Sequence, residues 1–281
     1  MHTKPSIDLF IKQALKEDVG HGDHTSLACV PATNKGKAKL LVKESGIIAG
    51  VELAKRIAKL IDSSLKLNIN IADGSIVKAG DIVFVIEGKS QSILKAERLI
   101  LNFMQRMSGI ATKTHHLVEL CKGTKAKVID TRKTTPGMRY FEKWAVRIGG
   151  GTNHRFGLFD MIMIKDNHID YCGGIVKAIE TASTYLKKKK KKLRIEIEAR
   201  NLTDVETILN TGNVHRIMLD NFSPKQLARA IQLINRKYET EASGGINENN
   251  IIEYAKTGVD FISVGALTHS VKSLDLSLKV I

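Results

Sequence analysis

Apolar residues in the first 90 positions change their period several times, which predicts helices alternating with strands. Residues 6–18 and 51–61 place apolar side chains three and four positions apart, the spacing of one helix face. Residues 37–43, 65–71 and 82–86 are short apolar or alternating runs bounded by turn residues, which predicts strands. This part of the chain is therefore predicted to be α+β.

A long amphipathic helix is predicted over residues 92–121. Six apolar residues at helical spacing form its expected buried stripe: Ile93, Ala96, Ile100, Phe103, Met104 and Met107. Arg98 lies on another face. Gly109 lies within the helical pattern, and a glycine there predicts a kink or a division of the helix.

From Gly123 onward, short apolar runs alternate with helical segments, which indicates βα units around a parallel sheet. Six runs are predicted to be strands: residues 127–129, 161–164, 193–197, 216–219, 240–242 and 261–264. Each is followed by a polar residue or glycine: Asp130, Lys165, Glu198, Asp220, Ser243 and Gly265. An α/β barrel and a doubly wound open sheet both fit this pattern, and both place chemistry at the carboxyl ends of the strands.

A chain of 281 residues can form one large α/β domain or two unequal domains. Its formal net charge of +15 is compatible with nucleic acid, an anionic membrane surface or small acidic ligands as partners. Aromatic residues make up only 5%, and no basic stretch is interleaved with them, which weighs against a base-stacking surface. The six consecutive lysines of residues 187–192 are interpreted as a solvated loop.

Three cysteines lie far apart without metal-ligand spacing, so neither a disulfide framework nor a structural zinc site is predicted. The first residues lack the apolar core of a signal peptide, and no apolar run reaches the roughly 18 residues of a membrane span. We therefore expect no membrane association and a reduced, cytoplasmic location.

The strongest chemical signal lies in residues 130–169, where cationic side chains and glycines are concentrated. The cationic or potentially cationic residues are Arg132, Lys133, Arg139, His154, Arg155, Lys165 and His168. Arginine offers a planar fork for carboxylate or phosphate, and lysine a compact charge. A solvated basic loop is the alternative, but the three glycines at 149–151 and the strand-end positions favour a small polyanionic ligand.

Three strand ends are acidic: Asp130, Glu198 and Asp220. Such carboxylates form structural ion pairs, or two of them facing one cavity with Lys133 and Lys165 hold Mg²⁺ against a polyphosphate. Ser243 and Gly244 follow one strand, and Gly265 follows the next. Because backbone N–H groups at such turns bind anions, these residues predict a phosphate site.

Motifs in one order carry a resemblance that extends over nearly the whole chain. They are DTRKTTPGMR at 130–139, GGGTNHR at 149–155, IKDNH at 164–168, EIE at 196–198, MLDNF at 218–222, EASGGI at 241–246 and ISVG at 262–265. With them the sequence resembles the quinolinate phosphoribosyltransferases, or carboxylating nicotinate-nucleotide pyrophosphorylases. The family transfers phosphoribosyl from phosphoribosyl pyrophosphate to quinolinate, releasing CO₂ and pyrophosphate and yielding nicotinate mononucleotide for de novo NAD biosynthesis.

The resemblance also implies a fold and an assembly. Residues 1–110 would form an N-terminal α+β sandwich domain, with residues 270–281 packing back on it. Residues 111–269 would form the catalytic domain, an incomplete α/β (TIM-like) barrel. Mg²⁺ is the implied cofactor, and a homodimer or higher homo-oligomer with shared active sites is the implied assembly.

Site residues follow from the same motifs. The implied quinolinate ligands are Arg132, His154, Arg155, Lys165 and the partner subunit's Arg98. Lys133, Glu198 and Asp220 would face the ribose, metal and pyrophosphate, with Glu198 and Asp220 as metal ligands. Ser243, Gly244 and Gly265 would hold the 5′-phosphate. The implied catalytic residues are Lys133, Lys165, Glu198 and Asp220.

Two other functions are considered. A paralogous phosphoribosyltransferase-like protein associated with molybdenum transport has the same fold, but the complete set of Arg132, His154, Arg155 and Lys165 favours quinolinate. A basic nucleic-acid-binding protein is suggested by the net charge and residues 187–192, yet the chain lacks a recognisable binding motif. Nucleic acid is therefore not an expected partner.

Overall fold

The computed structural model describes residues 4–281, which form two compact units. Its helices are α1 (Lys4–Val19), α2 (His24–Cys29), α3 (Val51–Ile61), α4 (Ser90–Leu120), α5 (Arg139–Ile148), α6 (Asp166–Cys172), α7 (Ile175–Lys188), α8 (Leu202–Thr211), α9 (Pro224–Ile234), α10 (Ile251–Lys256) and α11 (Ala266–His269). Its strands are β1 (Lys35–Val42), β2 (Gly46–Ile47), β3 (Lys66–Ile69), β4 (Ile76–Val77), β5 (Ile82–Lys89), β6 (Lys127–Ile129), β7 (Ile162–Ile164), β8 (Ile195–Ala199), β9 (Arg216–Asp220), β10 (Glu239–Ser243), β11 (Phe261–Ser263) and β12 (Leu276–Val280).

The first unit contains the described residues up to Lys113 together with Tyr140–Gly149 and Val271–Ile281. Its antiparallel sheet has the strand order β12-β1-β5-β3, and β2 pairs with β4 in a separate ribbon. Leu40 on β1 lies opposite Phe84 on β5, and both are fully buried. One face of the sheet therefore belongs to the core, as expected for an antiparallel sheet.

Tyr140–Gly149 belongs to the first unit, although the sequence-based division assigned these residues to the second domain. Phe141 packs against Phe10 and Phe103, with ring centroids 5.3 and 4.9 Å apart. Its neighbour Glu142 is fully buried and accepts a hydrogen bond from Arg106 at 2.8 Å. Aromatic packing and a buried ion pair thus hold most of α5 in this unit.

The predicted stripe of α4 is confirmed, because all six of its apolar residues are buried. The predicted division at Gly109 is wrong, since α4 runs without interruption from Ser90 to Leu120. A Cβ at Gly109 would overlap the carbonyl oxygen of Lys272. Glycine is used here because another backbone segment approaches the helix closely.

Substituting Gly109 with alanine is expected to destabilise the protein. In an exposed helix this change normally stabilises by about 1 kcal/mol through helix propensity. At Gly109 the added methyl group must displace a backbone carbonyl, and overpacking of this kind costs roughly 1–3 kcal/mol. Urea denaturation should therefore give a lower midpoint for Gly109→Ala. An equal or higher midpoint would contradict the close approach.

The second unit, Thr114–Arg139 and Gly150–Ser270, contains a six-stranded parallel sheet with the order β6-β11-β10-β9-β8-β7. Strands β7 to β11 lie beside their neighbours in the chain, and the first strand, β6, pairs with the last, β11. This first-to-last pairing is the connectivity of a barrel, here left open between β6 and β7. The doubly wound alternative is wrong because that fold reverses its strand order.

All six predicted strands are present, with end positions that differ by no more than two residues. Residues 187–192 form the end of α7 and an exposed loop, which confirms the interpretation of the lysine run as solvated. Among residues 4–281, no helix is both long and apolar enough to cross a bilayer.

Candidate active site

Two cavities open at the carboxyl ends of the barrel strands. The inner cavity, about 330 Å³, is lined by residues that include Arg132, Lys133, His154, Arg155, Lys165 and Glu241. The outer cavity, about 590 Å³, is lined by residues that include Lys133, Lys165, Glu198, Asp220, Gly244 and Gly265. Both are also lined by Thr131, Lys133, Lys165, Ser243 and Ser263. Ligands bound in the two cavities would therefore lie next to each other.

Several cationic side chains line the inner cavity, and one of them has an unpaired donor. The Nε of Arg132 is buried and has no hydrogen-bond partner among the described residues. Burial lowers the pKa of Arg155, and the nearby charge of Arg132 lowers it further. Two arginines held this close without a full set of acceptors are suited to a bound carboxylate or phosphate.

His154 lines the inner cavity, but both of its ring nitrogens are engaged by protein. Nδ1 accepts the backbone N–H of Arg155 at 2.6 Å, and Nε2 lies 3.0 Å from Glu196 and 3.2 Å from Glu241. Burial lowers the pKa of His154, but the two carboxylates outweigh burial and raise it to about 9. An imidazolium cannot accept at Nδ1, so the Arg155 contact belongs to the neutral ring; in both states Nε2 carries a proton.

Beneath the inner cavity lies a buried ionic cluster. Glu196 and Glu241 are fully buried, and Arg216 Nη1 lies 3.0 Å from Glu241 Oε2. Burial and the charge of Glu241 raise the pKa of Glu196 to about 7. Burial also raises the pKa of Glu241, but His154 and Arg216 outweigh it, so this pKa lies below its usual value. Because Arg216 already supplies a cation, the His154–Glu196–Glu241 group does not require a metal ion.

The outer cavity brings two carboxylates together. Glu198 and Asp220 both line it, and Lys165 Nζ lies 3.9 Å from Glu198 Oε2. Burial raises the pKa of Glu198, and the charge of Asp220 raises it further. Two oxygen-donor side chains whose negative charges repel each other are suited to Mg²⁺, which binds one or two carboxylates and completes its shell with water or phosphate.

A glycine turn forms another wall of the outer cavity. Gly244 has a φ of +96°, and a Cβ there would overlap Oδ1 of Asn221. Gly245 has a φ of +63°. Within residues 4–281, the N–H groups of Gly244 and Gly245 have no hydrogen-bond partner. These free amides suit an anion such as a phosphate group.

Three residues between positions 130 and 169 have structural roles: Asp130, Arg139 and His168. Asp130 is fully buried, accepts from Asn153 Nδ2 at 2.6 Å and from the His154 N–H at 2.8 Å, and lines neither cavity. Arg139 donates to a threonine hydroxyl and to backbone carbonyl oxygens. His168 accepts the N–H at the start of α6. These contacts fix the loops that carry the cavity residues.

Of the site residues that the family motifs imply, Arg98 is the one that lines neither cavity. It lies on α4 in the first unit, where its side chain is exposed. Its assignment to the active site of a partner subunit stays a prediction.

Family models match almost the entire chain. Residues 23–108 match "Quinolinate phosphoribosyl transferase, N-terminal domain", and residues 110–279 match the corresponding C-terminal domain. The chain belongs to the quinolinate phosphoribosyltransferase family. The family shows the predicted fold class, an α+β domain followed by an incomplete α/β barrel.

Individual relatives agree with this membership. A quinolinate phosphoribosyltransferase [decarboxylating] of Nicotiana glauca is 45% identical, over 98% of this chain and 83% of the relative. A chloroplastic nicotinate-nucleotide pyrophosphorylase [carboxylating] of Arabidopsis thaliana is 46% identical, over 98% of this chain and 84% of the relative. The crystal structure of NadC from Streptococcus pyogenes is 41% identical, with a TM-score of 0.94 over 100% of this chain and 98% of the other.

These comparisons bear on the alternatives drawn from the sequence. Family membership favours the phosphoribosyltransferase over a basic nucleic-acid-binding protein as the main function. The relatives carry the name of the quinolinate enzyme, which also favours it over the paralogue associated with molybdenum transport. Because related enzymes include chloroplastic and mitochondrial forms, the cytoplasmic location of this member stays a prediction.

Sequence reasoning missed a deeper layer of cavity residues. Strand side chains alternate, so the residue two positions before each strand-end residue faces the same interior. By this rule Met163, Met218 and Glu241 lie one layer below Lys165, Asp220 and Ser243, and all three line the inner cavity. The two-residue spacing was the signal that could have identified them.

Proposed function

We propose that this chain transfers the phosphoribosyl group of phosphoribosyl pyrophosphate to quinolinate and releases pyrophosphate and CO₂, forming nicotinate mononucleotide for NAD biosynthesis. The observation that carries the proposal is the pair of adjoining cavities that share Lys133 and Lys165. One cavity is cationic and small, and the other combines carboxylates with free backbone amides. A transfer between a dicarboxylate and a phosphorylated sugar needs this pairing.

Quinolinate is assigned to the inner cavity. Arg132, Arg155 and Lys165 supply fixed positive charge for its two carboxylates. His154 also lines this cavity, and its pKa of about 9, raised by Glu196 and Glu241, makes it a further positive charge at neutral pH. Met163 and Met218 provide apolar contacts suited to the faces of an aromatic ring.

Phosphoribosyl pyrophosphate is assigned to the outer cavity. Ser243, Gly244 and Gly265 would bind the 5′-phosphate, and Lys133 would face the ribose and pyrophosphate. Glu198 and Asp220 would hold Mg²⁺, which when bound supplies positive charge to the pyrophosphate group.

Catalysis in this arrangement rests on positioning and electrostatics. No protein nucleophile is required, because the ring nitrogen of quinolinate attacks C1 of the ribose directly. The cavity residues hold the ring nitrogen of quinolinate next to C1 of the ribose. The reaction then occurs between two molecules that are already aligned, which lowers its entropic barrier. Ribosylation makes the ring nitrogen cationic, and this charge stabilises the electron pair that stays on C2 when the bond to the 2-carboxylate breaks and CO₂ departs. C2 then takes up a proton from water.

The function is tested by incubating the protein with quinolinate, phosphoribosyl pyrophosphate and Mg²⁺. Nicotinate mononucleotide, pyrophosphate and CO₂ are expected in equal amounts, measured by chromatography, a coupled pyrophosphate assay and release of label from the 2-carboxylate. Nicotinate in place of quinolinate serves as the control for the second carboxylate. Failure to form the nucleotide under these conditions would overturn the proposal.

We also propose a homodimer in which Arg98 completes the partner's site. The support is that Arg98 is exposed and carries no cavity role within its own chain, while the family motif assigns it to quinolinate.

Mixing inactive Arg98→Ala and inactive Lys165→Ala chains is expected to restore activity. After statistical exchange, half of the dimers are hybrids, each with one intact site, so about a quarter of the wild-type activity should return. Mixing two preparations of Arg98→Ala is the control and should stay inactive. Mass spectrometry of intact dimers confirms exchange, and no rescue despite exchange would contradict a shared site.

A further inference from the structure

Glu241 is an unexpected residue in a cavity that binds a dianion. The inner cavity is lined by four arginine and lysine side chains: Arg132, Lys133, Arg155 and Lys165. Of the residues that the structure describes, Glu241 is the one acidic residue in this lining. A buried carboxylate loses its hydration and repels other carboxylates. Its presence beneath a dicarboxylate therefore opposes binding of the substrate and calls for a chemical reason.

We propose that Glu241 acts on the reaction through its electric field: its negative charge stabilises the positive charge that develops on the pyridine ring during phosphoribosyl transfer, at the expense of substrate binding. This inference rests on the proposed function and adds a role that the cationic residues cannot fill.

The geometry leaves half of the carboxylate free. Glu241 Oε2 lies 3.0 Å from Arg216 Nη1 and 3.2 Å from His154 Nε2. Oε1 is buried and has no hydrogen-bond partner within residues 4–281. Glu241 lies two residues before Ser243 on β10, hence on the same face and one layer deeper. The carboxylate is thus fixed at one oxygen, on the floor of the cavity.

A purely structural role as the partner of Arg216 does not account for this placement. Arg216 Nε and Nη2 already lie 3.1 and 3.0 Å from Glu239 Oε2, and Glu196 is 3.9 Å from Nη1. The Arg216 side chain also stacks over the ring of Phe261 at 3.9 Å. Glu239 is shared with Arg194, whose Nη2 lies 2.7 Å from Oε2, so Glu241 also helps to balance Arg216 through its own Oε2. Its Oε1 takes no part in that pairing.

The charge changes of the reaction suit a carboxylate at this position. The lone pair of the ring nitrogen forms the bond to C1, and the C1–O bond breaks with its electron pair remaining on pyrophosphate. The ring thereby changes from neutral to pyridinium. A fixed charge that disfavours the dianionic ground state and favours the cationic ring acts differentially on the transition state.

The test compares binding and turnover in Glu241→Gln, which removes the charge and keeps the shape. Benzene-1,2-dicarboxylate is the binding probe, because it has both carboxylates and no ring nitrogen. Calorimetry should show equal or tighter binding of this probe to the variant, while kcat falls by about 100-fold, the range for loss of one preorganised electrostatic contact. A structural role would instead weaken probe binding together with kcat.

Glu239→Gln is the matched control. Glu239 also pairs with Arg216 and is on the same strand, but it does not line the inner cavity. Its kcat is expected to stay within a few-fold of the wild type. Glu241→Asp retains the charge and should recover most of the lost kcat. An unchanged kcat in Glu241→Gln, or a parallel loss of probe binding, would overturn the inference.

A measurement on the unaltered protein covers the case in which Glu241→Gln does not fold. N-methylquinolinate carries the same carboxylates on a cationic ring. It is expected to bind the wild type about 10-fold more tightly than benzene-1,2-dicarboxylate. This ratio corresponds to about 1.4 kcal/mol, which one unit charge at this range can supply. Equal or weaker binding would overturn the inference, whereas absence of wild-type turnover would overturn the proposed function itself.

Discussion

Replacing Arg132 by alanine is expected to lower kcat/KM for quinolinate by about 10²- to 10³-fold, because truncating one member of a buried, hydrogen-bonded charge pair costs roughly 2–5 kcal/mol. Arg132 follows β6, lines the inner cavity and has a buried Nε without a partner in the described chain. Its guanidinium is therefore available to a ligand, not used by the fold.

The same change should leave stability nearly unaltered. Without ligand, Arg132 contributes to lowering the pKa of Arg155, which shows that their charges repel each other. Removing Arg132 relieves that repulsion and offsets the lost side-chain packing. We expect a thermal midpoint close to the wild-type value, measured by circular dichroism alongside steady-state kinetics.

Arg229→Ala is the matched control, since Arg229 is exposed on α9 and lines neither cavity. It should change neither kcat/KM nor the thermal midpoint. A loss of stability in Arg132→Ala proportional to the loss of activity would show that Arg132 supports the fold instead of the substrate. Lys165→Ala should resemble Arg132→Ala in kinetics.

Replacing Glu198 by glutamine is expected to lower kcat about 100-fold and to weaken the dependence of the rate on Mg²⁺, because loss of a carboxylate that orients a metal or its ligands typically costs 10- to 100-fold. Glu198 is nearly buried, and its pKa is raised by burial and by Asp220. Ionising both Glu198 and Asp220 therefore costs free energy when no cation is bound. A bound cation offsets this cost.

Thermal unfolding distinguishes this role from simple charge removal. Because a ligand that binds only the native state stabilises it, Mg²⁺ should raise the thermal midpoint of the wild type and not that of Glu198→Gln. In the absence of Mg²⁺, the variant should be at least as stable as the wild type, since the repulsion with Asp220 is gone. Glu206→Gln, exposed on α8, is the control. A normal Mg²⁺ response in Glu198→Gln would contradict the metal assignment.

Local periodicity was enough to predict most of the elements. The helical spacing of residues 51–61 matched α3 at both ends, and the α4 stripe is buried as predicted. The period of a helix or a strand depends only on the backbone geometry of residues near in the chain. It can therefore be recognised from the spacing of apolar residues in the sequence. The strand ends could be found for the same reason, which is why Lys165, Glu198, Asp220 and Ser243 were predicted together and lie around one cavity.

Contacts between segments that are distant in the chain could not be predicted from local sequence patterns. Gly109 was expected to kink or divide a helix, but its absent side chain makes room for Lys272, more than 160 residues away in the chain. Tyr140–Gly149 joined the first unit through Phe10 and Phe103, which no nearby pattern indicates.

The amino-acid sequence was sufficient to predict the type and order of the elements, the cationic character of the site and, through its motifs, the family. The folded chain was needed to see that β6 pairs with β11, that His154 faces Glu196 and Glu241, and that these carboxylates lie beneath a cationic rim. This difference arises because periodicity determines only the side of a strand on which a residue lies. The charge that it meets there depends on strands brought together from far along the chain.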